Sequence, residues 1–248
     1  MNTPKSFERV ARDYDALRGG MDRGRQSAGA VAPHLVPGGP TLEVGVGTGA
    51  VAAGLLERGH TVYGVDISPS MLRQAGERIG GRLARADARA LPCPDGAFAN
   101  VVCVHVLHLV GDMGAALAEA RRVLRTGGRL VAVHGDPFAD DDPMVAALER
   151  LAPLRPERPD SPGRLVEAAA AVGLRAVQQG PDAAYVQATS PEQLATSLEK
   201  RVPPYLWEVT DDDWRRLVVP VIEALRTLPE PERPREQVWR SWLTVLRK

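Results

Sequence analysis

Between Pro40 and Asp136 the chain alternates short β-rich runs with stretches of helical spacing, and this alternation limits its fold more than any other feature. The runs are TLEVGV (41–46), TVYGVDI (61–67), a weaker RLARAD (82–87), NVVCVHVL (100–107) and RLVAVHG (129–135). Strands separated by helices cannot pair as hairpins, so each must return parallel to the last through a right-handed crossover. The expected fold is α/β, a doubly wound and mostly parallel sheet. Ser68 is placed to N-cap a helix with Pro69 at its first position, where a missing N–H costs nothing. Met113, Ala116, Leu117, Ala120 and Leu124 recur at helical spacing, and Gly127-Gly128 are expected to end that helix.

The flanks read differently. Residues 1–35 look mostly helical. Residues 137–181 hold seven prolines around a helix expected at Arg164–Val172 and a strand near Leu174–Gln179. Helices are expected near 191–200 and 211–227. In the second, Trp214, Leu217, Val218, Val221, Ile222 and Leu225 form one apolar stripe, Thr210 with Asp213 resembles a capping box, and Pro220 should kink the helix. Gln237–Leu246 is expected as the last strand.

Composition removes several classes. The 248 residues carry 31 Lys+Arg and 31 Asp+Glu, so the net charge of zero gives no electrostatic warrant for a nucleic-acid or membrane partner. No apolar run approaches the roughly 18 residues of a membrane helix, and the opening MNTPKSFERVARDYD lacks the apolar segment of a secretory signal. Two cysteines, Cys93 and Cys103, exclude a disulfide framework. A cytoplasmic location is expected. Only three of the 31 basic residues are Lys while Ala occurs 34 times, a codon-bias pattern that makes any single Arg weak evidence of phosphate recognition.

The chemistry concentrates where the first strand meets its helix. Leu42-Glu43-Val44-Gly45-Val46-Gly47-Thr48-Gly49 ends a strand on three glycines, which allow a tight turn and let a ligand touch bare backbone at a helix N-terminus. Asp66 ends the next strand, where an acid can accept both ribose hydroxyls of an adenosine. Gly45-Val-Gly47-Thr-Gly49-Ala50 also satisfies the dinucleotide fingerprint. Charge discriminates. Glu43 would repel a pyrophosphate but attract the sulfonium and ammonium of S-adenosylmethionine (SAM). A second acid, Asp87 beside Ala88, follows the third strand and is placed to accept from an adenine amino group.

LEVGVGTG (42–49), VYGVDISPSMLRQA (62–75), ADARALPCPDGAF (86–98), VVCVHVLHLV (101–110) and EARRVLRTGGRLVAV (119–133) together resemble the SAM-binding core of class I methyltransferases, within the small-molecule branch that includes ubiquinone/menaquinone-type enzymes. The resemblance implies a seven-stranded sheet in a single domain over 1–248. Residues 1–35 would be an N-terminal helical lid, 36–137 the SAM-binding core, and 138–248 the rest of the sheet with a helical cap about 190–234 before the last strand. It implies that Gly45, Gly47 and Gly49 line the methionine moiety, Glu43 anchors the turn and Asp66 holds the ribose. Ile67 and Met71 would lie against the adenine, Asp87 with Ala88 on its polar edge, Cys103 and Val104 beside the methionyl ammonium, and Tyr14 of the lid against the cofactor. One departure is Ala99, where the branch usually has Asp after Phe98.

Reactions in open α/β sheets occur at the carboxyl ends of the strands. His105 and His108 follow the fourth strand and His134 the fifth, so all three are candidate bases for a hydroxyl or acidic-carbon acceptor. Asp136, Asp140, Asp141 and Asp142 could crowd oxygen around Mg2+, but Asp142-Pro143 reads equally as a helix start and no metal is expected. His105-x-x-His108 lacks a third zinc ligand. Tyr205 and Trp207, in a Pro-Pro turn, are candidate walls of an acceptor pocket. The expected function is SAM-dependent methylation of a small apolar or aromatic metabolite, with S-adenosylhomocysteine as product. The alternatives are a SAM-binding cyclase or decarboxylase of the same fold and, further off, a nicotinamide oxidoreductase. A nucleic-acid methyltransferase is disfavoured by charge and by the absence of an Asn/Asp-Pro-Pro-Tyr-type motif. Oligomeric state is not legible.

Overall fold

A computed structural model describes Asp15 and residues 19–139, 142–155 and 158–248. The chain divides into two units. The first runs to Pro137 and takes in Arg158–Tyr185 and Arg240–Lys248; the second comprises Phe138–Glu157 and Val186–Trp239.

The first unit is built on the sheet. Its strands are β1 (Thr41–Val44), β2 (Val62–Asp66), β3 (Leu83–Arg85), β4 (Phe98–Val104), β5 (Leu124–Ala139), β6 (Arg175–Thr189) and β7 (Arg235–Arg247), the last three continuing into the second unit. Their order is β3-β2-β1-β4-β5-β7-β6. β1 pairs in parallel with β2 and β4, β2 with β3, and β4 with β5. The expected doubly wound, mostly parallel, seven-stranded sheet is therefore present.

Period-two alternation divides its core between two faces. Val101, Cys103, Leu130 and Ala132 face α4 (Met113–Val123) and α6 (Pro162–Ala171), meeting Leu117, Ala120, Leu165 and Ala169. Val102, Val131 and Val133 face the other way, toward Ala28 and Val31 of α1 (Gly20–Val31), Ala52 and Leu55 of α2 (Ala50–Leu56), and Ala75 and Ile79 of α3 (Pro69–Ile79). With both faces covered, β1 and most of β4 are buried throughout, as parallel strands require. Ser68 caps α3 as expected, its hydroxyl accepting from Met71 N at 3.3 Å with Pro69 at the first helical position. The unusual Ala99 is buried where a Cβ on Gly39 would come within 2.2 Å of its own.

Several boundaries differ from the sequence reading. α4 stops at Val123, because Leu124 turns extended (φ −71°, ψ 135°) and begins β5 before Gly127-Gly128 are reached. β4 starts at Phe98 and ends at Val104, because His105 adopts φ +50°.

The second unit packs α5 (Pro143–Glu149), α7 (Pro191–Glu199) and α8 (Val219–Arg226) around Met144, Leu151, Leu198, Leu206, Val221 and Leu225. Ser190 and Gln193 form a full capping box on α7. At Thr210 the hydroxyl accepts from Asp213 N at 3.2 Å. Ahead of Pro220 the helix runs through a π-helical stretch, Trp214–Val218, in which Val219 N–H reaches back five residues to Trp214 O. That wider register relieves the clash a proline ring makes with the carbonyl four residues earlier. Among the described residues no helix is long and apolar enough to cross a membrane.

Candidate active site

β1 delivers an acid into a core position. Leu42 and Val44 point to the α4–α6 face, so Glu43 points to the other, in register with Val102 and under the N-terminus of α2. The Ala52 N–H, one of the donors a helix leaves unpaired at its start, bonds to it. The residue is 2% exposed and its Oε2 has no hydrogen-bond partner. Burial, reinforced by the nearby Asp66 carboxylate, pushes the Glu43 pKa up to about 8. Such a carboxyl is costly to ionise until a cation is brought to it.

The glycines follow directly. Gly45, Gly47 and Gly49 have φ of +72°, +54° and +81°. A Cβ on Gly45 would lie 2.3 Å from Val106 Cγ2, whereas one on Gly47 would meet nothing within 4 Å. Asp66, at the end of β2, accepts from Gly47 N at 2.9 Å and Ser68 N at 2.8 Å. Burial raises its pKa against these backbone bonds. The Ile67 N–H also reaches the carboxylate, whose two oxygens together offer about four acceptor sites. Ile67 is 40% exposed beside it, while Met71 is buried and Cys103 lies buried on β4 beside Val44, its thiol pushed up to about 12 by burial and then by Glu43. Asp87 is closed onto Arg89, which donates from Nη2 at 2.7 Å and holds the carboxyl below its usual range. Ala88 is half-buried beside it, and Val104 ends β4. Tyr14 lies outside the described residues, as do Asp140 and Asp141; Asp142 caps α5 through Met144 N at 2.7 Å.

A second polar cluster sits at the ends of β4 and β5. His134 is fully buried, with Nδ1 2.7 Å from Asp160 O and Nε2 2.8 Å from Thr244 Oγ1. A carbonyl can only accept, so its partners assign the proton to Nδ1, and Nε2 accepts from the Thr244 hydroxyl. Gln179 Nε2 donates to that hydroxyl oxygen at 3.0 Å. Burial keeps the His134 pKa below its ordinary value. Both ring nitrogens of His134 thus have protein partners.

Asp160 is also fully buried, and the Arg158 guanidinium grips both its oxygens, at 2.8 Å from Nε and 3.0 Å from Nη2. Burial alone would raise its pKa, but His108 and Arg158 hold it well below the carboxylate range. His108 follows in the 3-10 turn Leu107–Leu109, its buried Nδ1 3.6 Å from Asp160 Oδ2 and without a hydrogen-bond partner. At His105, strand alternation would give the α4–α6 face. The positive φ instead brings Nε2 to 3.5 Å from Ser241 Oγ, on the face of Leu243 and Val245. Burial, then Arg23 and Arg158, hold its pKa well below 6.5. Asp136, half-exposed, lies 3.6 Å from Arg158 Nη1. Arg158 and Asp160, from the proline-rich stretch, were not singled out in the sequence.

In the second unit, Trp207 is exposed and its indole N–H donates to Arg201 O at 2.8 Å. Tyr205 packs at the edge of that unit's core, and Trp214, under the Arg201 guanidinium at 4.2 Å, belongs to the core as its stripe suggested.

Residues 42–132 match a family described as a methyltransferase domain. A demethylmenaquinone methyltransferase of Tropheryma whipplei is 37% identical over 157 residues, 59% of this chain and 63% of the relative. The chain thus spans somewhat under two thirds of that relative's length. A SAM-dependent methyltransferase of Thermotoga maritima, described as a possible histamine N-methyltransferase, superposes with a TM-score of 0.57 at 20% identity, covering 99% of both chains. The [4+2]-cyclase SpnF gives 0.58 at 19% identity, over 99% of this chain and 95% of that one. Over residues 42–132, then, the chain is similar to the methyltransferase domain family.

Proposed function

We propose that this chain is a SAM-dependent methyltransferase acting on a small, apolar or aromatic acceptor in the cytoplasm. The observation that carries the proposal is Glu43: a buried carboxyl with an unpartnered oxygen, under a glycine turn tied to Asp66. A pyrophosphate would be repelled there, whereas a ligand bearing ammonium and sulfonium would complete it. The residues present therefore fit SAM, which when bound supplies an electrophilic methyl group on its sulfonium. Glu43 would balance the ligand's positive charge, Asp66 would accept from the ribose hydroxyls, and the open space over Gly47 admits the ligand to bare backbone. The exposed Ile67 offers an apolar surface to the adenine. His108 stands 3.6 Å from the Asp160 carboxylate, so it is the base for an acidic acceptor.

Thermal unfolding with SAM, S-adenosylhomocysteine, NAD and NADP tests the cofactor. A ligand at 100 times its Kd adds about 2.7 kcal/mol of stability. A rise with the two sulfur ligands alone is expected; a rise with NAD alone would overturn the proposal. An acceptor panel that includes a demethylmenaquinol, read by S-adenosylhomocysteine release, then tests transfer. His108→Gln should lower turnover by about 10²-fold or more while SAM affinity holds.

A further inference from the structure

The three residues His108, Asp160 and His134 lie far apart in sequence, yet their polar atoms form one directed chain. Gln179 Nε2 donates to Thr244, Thr244 to His134 Nε2, and His134 Nδ1 to the Asp160 carbonyl. This fixes the main chain of Asp160. Its side chain is fixed separately by the two-pronged Arg158 fork, and bidentate guanidinium–carboxylate pairs set orientation as well as charge. The outcome is a fully buried carboxylate immobilised at both ends, with Oδ2 turned toward the otherwise unpartnered Nδ1 of His108.

We propose that Asp160 is the positioning residue of His108, holding it in the Nδ1–H tautomer with Nε2 as the nitrogen that accepts a proton, and that Arg158 and His134 exist to hold Asp160 there. The consequence for turnover rests on His108 being the base; the tautomer assignment does not. A carboxylate only accepts when ionised, so the nitrogen facing it must carry the proton. At 3.6 Å the contact is an ion-pair distance, longer than a hydrogen bond. His134, which superficially resembles a second catalytic histidine, is a bracket: its two nitrogens join the Asp160 backbone to β7.

Nitrogen-15 NMR of the full chain with labelled histidines reads the tautomer directly, with His108→Gln supplying the assignment. The wild type is expected to show neutral His108 protonated at Nδ1. Asp160→Asn should abolish that preference, leaving a mixture or the Nε2–H form. Should Asp160→Asn fail to fold, Arg158→Lys loosens the fork without removing the carboxylate, and a shift of the population toward a mixture is expected. An Nε2–H signal in the wild type, or an unchanged tautomer in whichever of these variants folds, overturns the inference. The base assignment is judged separately by turnover of His108→Gln. If that variant retains full activity while Asp160→Asn loses the Nδ1–H form, the base assignment falls and the positioning inference stands.

Discussion

Glu43 and Asp160 are both carboxyls removed from water within the same unit, yet the fold treats them in opposite ways. Asp160 is gripped by Arg158 and faces His108, so its ionised form is favoured despite burial. Glu43 has one backbone donor and an orphaned oxygen, and its neutral form is favoured up to a pH of about 8. Burial therefore does not decide a carboxyl's charge; the partner does. One acid has its cation built into the chain and is fixed in place. The other lacks one, which is what a site for a cationic ligand requires.

The largest expected effect follows from removing a built-in partner. Arg158→Ala strands a buried charge and should cost about 3–5 kcal/mol of unfolding free energy in denaturant titration. Glu43→Gln, which removes an acid that is already neutral near pH 7, should cost far less. Equal losses would break the comparison.

The pH dependence should separate the two acids next. An unfolded Glu43 would lose its proton near 4.5, whereas the folded one keeps it to about 8. Its stabilising contribution is thus full below about 4.5 and is lost as the pH rises toward 8, with a slope of at most about 1.4 kcal/mol per pH unit. Asp160 runs the other way. Its folded pKa is depressed, so its contribution is present above the ordinary carboxylate range and is lost as the pH falls below it. Denaturant titrations of wild type and Glu43→Gln across this range should show the alkaline loss in the wild type alone.

A smaller effect concerns the ribose contact. Asp66→Ala should weaken SAM binding by about 1–3 kcal/mol, measured by calorimetry, and unchanged affinity would remove Asp66 from the site. Smallest is Gly47→Ala. With φ at +54° but empty space around the added methyl, it should cost about 1 kcal/mol of stability, and less than Gly45→Ala, which also meets Val106.

These two acids also differ in how far the sequence reveals them. Glu43, Asp66 and the glycines are local: a strand, a turn and a helix start lie within nine residues, and alternation places the next acid at the next strand end. The sheet was legible for the same reason, since strands buried on both faces read as short apolar runs, separated here by stretches of helical spacing. Asp160 was not, because the two histidines it serves, His108 and His134, lie far off in the chain. His134 reaches it across 26 residues and is itself tied to Thr244 across 110, and nothing in a proline-rich stretch marks one Asp as fully buried. His134 and His108 likewise look alike in sequence, and only their partners distinguish the bracket from the candidate base. The boundary errors have the same origin. Gly127-Gly128 resemble a helix stop, but the β5 pairing takes over at Leu124, and no local signal announces the left-handed turn at His105.

The most direct test of the Glu43 site is calorimetric titration of SAM into wild type and Glu43→Gln at pH 7, in buffers of different ionisation enthalpy. Wild type is expected to bind SAM and release a proton, as the ligand's positive charge draws Glu43 into its ionised form. Glu43→Gln should bind more weakly and release none. Equal affinity and equal proton release in both proteins would contradict the account, because the unpartnered carboxyl would then not be where the cofactor's charge is met.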